Sequence, residues 1–232
     1  MSWLARSLSS SLGSKATVAV TGLALLGFVL VHMLGNLQIF LGQEAINAYA
    51  AKLKSLPGPL WVARLGLLGL AFVHVVTAIR LAARSKAARP VTYVANGSVQ
   101  KTVSARSMVI TGLLILAFAV YHLAHFTWGV ILTDTHQLMD AAGRPDVFSM
   151  MVLGFQQPLI AGSYIAAMLI LALHIRHGTG SFFQTLGARP PRFAPIIEKT
   201  ALGLAWIILI GNVSMPLAVL AGVISLPPGV GR

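Results

Sequence analysis

Four histidines lie well inside four different long apolar segments of the chain. They are His32, His74, His122 and His174. An imidazole buried in a bilayer without a partner costs several kcal/mol, so a histidine at that depth usually binds something. Two histidines that face each other across a helical bundle provide the axial pair that a low-spin haem needs. Four such histidines therefore predict two haems.

The composition is that of an integral membrane protein. Of 232 residues, 56% are hydrophobic and 9% are charged, whereas a soluble domain carries about a quarter charged residues. The net charge is +12, but the basic residues are concentrated in particular loops, which argues against a nucleic-acid-binding surface. There is no cysteine, which excludes protein-ligated iron–sulfur clusters, disulfides and thiolate-bound or covalently attached haem.

Five apolar segments are long enough to cross roughly 30 Å of hydrocarbon. They run over about 17–41, 60–83, 107–132, 157–179 and 200–224, and the first is too long for a signal-peptide core. Polar loops are predicted between them, at Gln43–Pro59, Arg84–Arg106, Thr133–Gln156 and Gly180–Lys199. The predicted fold is all-α: a single membrane domain over 1–232, with a four-helix haem-binding bundle and a fifth helix.

Lysine and arginine predict the orientation. Most of them lie in the N-terminal segment and in the second and fourth loops. The other side has Lys52, Lys54, Arg64, Arg144 and Arg232, together with the acids Glu44, Asp134, Asp140 and Asp146. By the positive-inside rule the N-terminus is cytoplasmic and the C-terminus lies outside. The basic inner loops could also form a docking surface for a soluble partner, although topology alone would explain most of the bias.

The first and third segments repeat at an offset of 90 residues, with Thr21-Gly22-Leu23 matching Thr111-Gly112-Leu113 and His32 matching His122. The repeat predicts an outer pair, His32 with His122, at one depth. His74 and His174 lie nearer the cytoplasmic ends of their segments and form an inner pair. Glycines are expected where a porphyrin passes helices that carry no ligand: Gly22 and Gly112 at the inner level, Gly66 and Gly162 at the outer level. Ordinary small-residue packing is the alternative.

The remaining histidines leave a choice open. His125 follows His122 by three residues and His177 follows His174 by three, so either member of each couple could be a ligand on spacing alone. The repeat selects His122. His136 falls in an outer loop, where we expect it to be solvated. No HExxH motif or carboxylate cluster suggests another metal, and no Ser–His–Asp chemistry has support.

The chain resembles the five-helix, di-haem cytochrome b subunit of succinate:quinone oxidoreductases, the succinate dehydrogenases and fumarate reductases. The resemblance covers nearly the whole chain. It rests on His32-Met33-x-Gly35-Asn36-Leu37-Gln38, on His74 followed by Arg80, on Tyr121-His122-Leu123 and on His174-x-x-His177-Gly178-x-x-Ser181-x-x-Gln184-Thr185-Leu186-Gly187. The last run is the most specific, and in the family its first histidine is the ligand, which favours His174 over His177.

The resemblance implies the cofactors and partners. Two haems b would be held by His74 with His174 and by His32 with His122, in the bacterial cytoplasmic membrane. A flavoprotein with FAD and an iron–sulfur protein would dock on the cytoplasmic face, and electrons would pass between them and a membrane quinone, expected to be menaquinone. The dicarboxylate site would lie in the flavoprotein, so no catalytic residue is expected here. A higher oligomer is left open.

Further site residues are expected from depth and chemistry. Haem propionates are carboxylates that bind arginine, hydroxyl or amide donors. The candidates are Arg80, Arg106, Ser181 and Gln184 for the inner haem and Arg64 for the outer haem. A quinone needs hydrogen-bond donors near a haem; the candidates are Asn36, Gln38, Tyr49, Trp61 and Trp128. Interface anchoring is the alternative for the arginines and aromatic residues.

Two departures and two rival classes complete the interpretation. Ala172 stands where some family members carry a glutamate that serves as a proton route beside the haems. The outer loop also lacks a clear counterpart, between Ser55 and Trp61, of the carboxylate that some members use for quinol. One rival is another di-haem quinol cytochrome, which would differ in its histidine pattern. The other is a transporter or structural membrane protein whose histidines only pack.

Overall fold

The computed structural model describes residues 10–88 and 102–226, with the side chains of 102–106 left out. Five long helices dominate it: α1 (Ser11–Asn36), α3 (Pro57–Ala87), α4 (Thr102–Phe126), α6 (Pro158–Thr185) and α7 (Ala194–Leu220). Two shorter helices are α2 (Gln43–Lys54) and α5 (Val147–Gln156), and 3-10 segments cover Leu37–Leu41 and Thr133–Gln137. The described residues contain no strand, only an isolated bridge between Met139 and Pro145.

All five long helices are apolar and long enough to cross a membrane, which confirms the predicted all-α membrane fold. The candidate spans are Ser11–Leu41, Pro57–Ala87, Ser107–Phe126, Pro158–Thr185 and Ala194–Leu220. The third was predicted to reach residue 132, and this was wrong. The backbone N–H of Val130 turns back to the carbonyl of Ala124 at 3.0 Å, and Gly129 takes a positive φ of 63°. This left-handed turn ends α4 at Phe126.

The prediction of loops throughout the connections was also wrong, because α2 and α5 lie in two of them. A search for runs of membrane length passes over helices of 12 and 10 residues. The start of α5 does have a local signal: Asp146 is its N-cap, and its side chain accepts a hydrogen bond from the backbone N–H of Ser149 at 3.0 Å. Helix α6 also runs past the predicted boundary, so Ser181 and Gln184 are helical.

Contacts divide the chain into two compact units. The first comprises Met1–Phe28, Arg64–Leu113 and Leu173–Ala205; the second comprises Val29–Ala63, Leu114–Ala172 and Trp206–Arg232. Each unit takes a part of all five long helices. The predicted inner pair, His74 and His174, belongs to the first unit, and the predicted outer pair, His32 and His122, belongs to the second. The single membrane domain over 1–232 stays a prediction.

Helix α2 is fastened to the start of α5 through Asn47, which is 0% exposed. Its amide nitrogen donates to the carboxylates of Asp146 at 3.0 Å and Asp140 at 3.2 Å. Its amide oxygen accepts from the backbone N–H of Phe148 at 3.0 Å. Gln43 adds a bond to Asp146 at 2.7 Å. These bonds satisfy a buried carboxylate and a buried amide together, so they fix the two helices in one register.

Charged groups extend this fastening. Arg144 pairs with Glu44 at 2.5 Å and with Asp140 at 2.8 Å. The hydrogen bonds from Arg144 hold the pKa of Glu44 below its usual range and lower that of Asp140 to about 2. Burial alone would raise the pKa of Asp146, but the hydrogen bonds that it accepts outweigh burial and lower it. We name the group formed by Gln43, Glu44, Asn47, Asp140, Arg144 and Asp146 the polar clasp.

Candidate cofactor-binding histidines

His74 is oriented by a threonine of the neighbouring helix. The hydroxyl of Thr21 donates to the backbone carbonyl of Thr17 at 2.7 Å and lies 3.0 Å from Nδ1 of His74. A hydroxyl has one hydrogen, and here the helix carbonyl takes it. With its hydrogen on that carbonyl, the Thr21 oxygen can accept from an Nδ1–H of His74, and this is the tautomer that leaves Nε2 of the neutral ring with a lone pair.

His174 repeats the arrangement. The hydroxyl of Thr111 donates to the backbone carbonyl of Met108 at 3.1 Å and lies 3.0 Å from Nδ1 of His174. By the same count, His174 carries its hydrogen on Nδ1 and leaves Nε2 bare. A metal-binding histidine characteristically donates its other ring N–H in this way.

The glycines of the repeat make room for these rings. A Cβ at Gly22 would lie 3.1 Å from Cε1 of His74, and a Cβ at Gly112 would lie 3.4 Å from Cε1 of His174. Each glycine therefore lies at the depth of the histidine on the adjacent helix, and what it contacts is the imidazole itself. At Gly66 and Gly162 a Cβ would meet nothing within 4 Å among the described residues, so these glycines face open space and are not points of close helix packing.

His32 and His122 approach each other in the second unit. Their ring centroids are 5.7 Å apart and the ring planes are perpendicular. A metal–imidazole bond is about 2 Å, so two imidazoles on opposite sides of one iron have their ring centroids only several ångström apart. The separation of the His32 and His122 centroids is of that size. The side-chain nitrogen of Asn36 lies 3.0 Å from Nε2 of His32. That amide would have to turn aside for Nε2 to bind iron.

His125 is placed for packing. It is 1% exposed, stacks on Phe126 with centroids 4.0 Å apart, and has Nδ1 3.1 Å from the Tyr164 hydroxyl. Its Nε2 faces the backbone of α5, since a Cβ at Gly154 would lie 3.0 Å from it. A porphyrin has no room there, which supports His122 as the ligand. His177 is half-buried.

His136 is not solvated in the way expected for a loop histidine. Its ring lies on Gly129, where a Cβ would come within 2.6 Å of Cγ. Its Nδ1 is buried and has no hydrogen-bond partner among the described residues. The positive φ of Gly129 brings the chain back under this ring, so His136 is half-buried and not fully solvated.

The propionate candidates share an exposed position wherever the structure describes their side chains. Arg80, Arg64, Ser181 and Gln184 are exposed. Arg80, Ser181 and Gln184 belong to the first unit, as His74 and His174 do, and Arg64 belongs to the first unit as well. The side chain of Arg106 lies outside the described residues. Their role stays a prediction.

The quinone candidates all belong to the second unit. Asn36 is engaged with His32, and Gln38 is half-buried in the 3-10 segment that follows α1. Tyr49 lies against the backbone of Gly35, where a Cβ would approach its hydroxyl to 2.8 Å. Trp61 and Trp128 are each 57% exposed, as either lipid anchors or quinone contacts would be.

Sequence reasoning missed Tyr164. This tyrosine of α6 is 6% exposed, and its hydroxyl lies 3.1 Å from Nδ1 of His125 and 3.4 Å from Nδ1 of His122. The available signal was a tyrosine in the middle of an apolar run, since a buried phenol needs a hydrogen-bond partner.

Among the described residues, no group of three or more histidine, aspartate or glutamate side chains is placed to hold a metal ion, so histidine pairs are the donor sets that the structure offers. Two neutral imidazoles per site suit a low-spin haem, and the threonine contacts at His74 and His174 fit that use. Comparisons with protein-family models, curated proteins and solved structures find no match for this chain.

Proposed function

We propose that this chain is the di-haem cytochrome b subunit that anchors a succinate:quinone oxidoreductase in the bacterial cytoplasmic membrane. The observation that carries the proposal is the repeated threonine contact. Thr21 and Thr111, equivalent positions of the repeat, each donate to a carbonyl of their own helix and lie 3.0 Å from Nδ1 of a membrane histidine, which favours the tautomer with its hydrogen on Nδ1 and Nε2 available. A histidine that merely packs has no need of a fixed tautomer, whereas an iron ligand does.

In this function the residues have separate roles. Two haems b, when bound, supply one-electron transfer across the membrane. His74 with His174, and His32 with His122, hold the irons. Thr21 and Thr111 fix the ring orientation and raise the basicity of the inner ligands, because a ring that donates through Nδ1 gives more electron density through Nε2.

The partners and the quinone site belong to the same proposal. The basic cytoplasmic loops dock an iron–sulfur protein and its FAD-containing flavoprotein, which holds the dicarboxylate. Menaquinone reacts near the outer haem, with Asn36 and Gln38 as hydrogen-bond donors and Tyr49, Trp61 and Trp128 as contacts. A haem at the outer level has little use if quinone reacts only at the cytoplasmic face.

The haem content of the purified protein tests the proposal. We expect two haems b with six-coordinate low-spin spectra. His32→Ala and His122→Ala should each remove or disturb one haem, and His74→Ala and His174→Ala the other. His125→Ala and His177→Ala are the matched controls, which should keep both haems. A wild-type protein with no haem, or loss of haem in His125→Ala but not in His122→Ala, would overturn the assignment.

One observation favours the rival class of a transporter or structural protein with packing histidines. The Asn36 amide already engages Nε2 of His32 at 3.0 Å, which satisfies that ring without a metal. The visible spectrum decides between the two classes. A second di-haem quinol cytochrome would pass that test, and co-purification of the flavoprotein and iron–sulfur protein then separates it.

A further inference from the structure

We propose that Tyr164 is the positioning residue of the outer haem site: it orients His122 through a hydrogen-bonded chain that ends at His125. The inference rests on the proposed function, since it treats His122 as an iron ligand. The Tyr164 hydroxyl is 3.4 Å from Nδ1 of His122 and 3.1 Å from Nδ1 of His125. It is the one oxygen that joins the two rings in these contacts.

The hydrogen count gives the chain a direction. The phenol has one hydrogen, and the two Nδ1 atoms are the acceptors beside it. When that hydrogen is used, one ring accepts from the phenol and the other donates to its oxygen. Iron at Nε2 of His122 requires the hydrogen of that ring to be on Nδ1. His122 then donates to Tyr164, and Tyr164 donates to Nδ1 of His125.

The remaining hydrogen of His125 then lies on Nε2. That nitrogen is buried and has no hydrogen-bond partner among the described residues, so its N–H is left unsatisfied at a cost of about 1–3 kcal/mol. In the reversed chain, His125 donates to Tyr164 and Tyr164 donates to Nδ1 of His122. Nε2 of His125 then carries no hydrogen, but the hydrogen of His122 is on its own Nε2, where it prevents iron from binding. Iron binding at His122 is thus coupled to the tautomer of His125, a residue that touches neither iron nor porphyrin.

Packing keeps the chain in place. Tyr164 contacts Phe118 and Phe155 edge-to-face, with centroids 5.0 and 5.2 Å apart, and His125 is stacked on Phe126. Tyr164 and His125 are both nearly inaccessible. Rotation of either ring would leave buried polar atoms without partners, so neither side chain has a cheap alternative position.

The midpoint potential of each haem is the measurement that tests this chain. Tyr164→Phe removes the acceptor for His122 Nδ1–H, so His122 donates less electron density to iron. The ferric form loses more stabilisation than the ferrous form, so the midpoint potential of the outer haem should rise. For an outer-sphere partner we expect a change of the order of tenfold in relative affinity, or about 59 mV for one electron, with both haems still bound.

Tyr121→Phe is the matched control. Tyr121 belongs to the same aromatic cluster, with its ring 5.7 Å from that of Tyr164 and 6.2 Å from that of His125, and it loses the same hydroxyl. We expect it to leave both potentials at their wild-type values. A rise as large as that of Tyr164→Phe would show that the effect comes from general packing and would overturn the proposal.

His125 gives a second, independent test. His125→Leu removes the acceptor for the Tyr164 hydroxyl and should raise the outer haem's potential less than Tyr164→Phe does. His125→Asn keeps an acceptor near the position of Nδ1 and should restore the wild-type value, although it leaves a similar void. In Tyr164→Phe/His125→Leu the second change should add nothing, because the chain is already broken.

The outcomes separate this inference from the proposed function. A wild-type protein without haem would contradict both the proposed function and the role of Tyr164. Two haems in the wild type with unchanged potentials in Tyr164→Phe overturn the inference alone. Additive shifts in the double variant, or an effect of His125→Asn equal to that of His125→Leu, also overturn the chain. If His125→Leu does not fold, Tyr164→Phe against Tyr121→Phe still decides.

Discussion

Hydroxyl groups, more than charged groups, determine how the candidate ligands are presented. Three buried or half-buried hydroxyls, of Thr21, Thr111 and Tyr164, each contact an Nδ1 of a membrane histidine. A threonine in a membrane helix satisfies its own hydrogen on a preceding carbonyl, so its oxygen is a pure acceptor for a neighbour. That property makes the tautomer of His74 and His174 a consequence of helix geometry.

The two threonines can be separated experimentally. Thr21→Val should disturb the haem that we propose at His74 and His174, with a raised potential or partial loss, because Nδ1 of His74 loses its acceptor in a low-dielectric setting. Thr111→Val should act on the same haem through His174. Potentiometric titration of both haems measures this. A shift confined to the other haem would show that the inner pair has been assigned wrongly.

Some of this was predictable from the sequence and some was not. Counting along the repeat put Gly22 at the depth of the inner pair, and its closeness to His74 agrees with that. Gly22 was expected to leave space for a porphyrin, whereas the group that it leaves space for is the imidazole of His74. Tyr164 was missed because its two histidine partners are 39 and 42 residues away in the sequence. No local sequence pattern predicts contacts over that separation.

Among the elements, the short helices differ most from expectation. Membrane length and apolar composition were sufficient to locate the five long helices, since the bilayer imposes that length. They were not sufficient for α2 and α5, whose helicity depends on tertiary contacts in the polar clasp. An N-cap aspartate at Asp146 was the readable local signal.

The polar clasp should contribute measurably to stability. Asp146→Ala removes the N-cap of α5 and one of the two carboxylate acceptors of the buried Asn47 amide, so we expect a loss of about 1–3 kcal/mol. Thermal unfolding in mild detergent measures it. Asp134→Ala, at an exposed acid of the 3-10 segment, is the control and should change little. Equal effects of the two variants would contradict the buried role of Asp146.

The clasp also predicts a dependence on acid. The pKa values of Glu44, Asp140 and Asp146 are all lowered in the folded protein. Their stabilisation is therefore fully present above the ordinary carboxyl pKa of about 4 and is lost as the pH falls from there towards the folded values, about 2 for Asp140. Melting temperature measured between pH 6 and pH 2.5 should fall less steeply in Asp146→Ala than in the wild type. Parallel curves would rule out Asp146 as a contributor.

For the whole molecule, the orientation remains to be measured, and the absence of cysteine makes that measurement clean. A single Lys54→Cys variant should react with a membrane-impermeant thiol reagent in intact spheroplasts, because the positive-inside rule puts α2 outside. Lys86→Cys, at the exposed end of α3, should react only after the membrane is opened. The opposite pattern would invert the topology and move the proposed docking face.

Charge movement is the second property of the whole molecule. Ala172 offers no side-chain proton route where some members of the resembling family carry a glutamate. Electron transfer between an outer quinone and cytoplasmic partners would then be uncompensated, and turnover should generate or respond to a membrane potential. Turnover of the complex in sealed vesicles with a potential-sensitive dye measures this. Turnover that neither makes a potential nor changes with an uncoupler would place the quinone at the cytoplasmic face.

The Thr–Gly contact with a histidine occurs twice, and the spacing of its parts differs in one respect. Thr21 and Thr111 are 90 residues apart, whereas His74 and His174 are 100 apart. The connection from α4 to α6 is therefore longer than that from α1 to α3, although each contains a short helix, α5 or α2. The hairpin of α1 with α3 and the hairpin of α4 with α6 thus have the same threonine–histidine contact. The extra residues of the second hairpin lie outside that contact. We expect a minimal homodimer of the first hairpin alone to present two equivalent imidazoles. The natural chain then corresponds to a fused dimer, in which one copy acquired a lengthened connection.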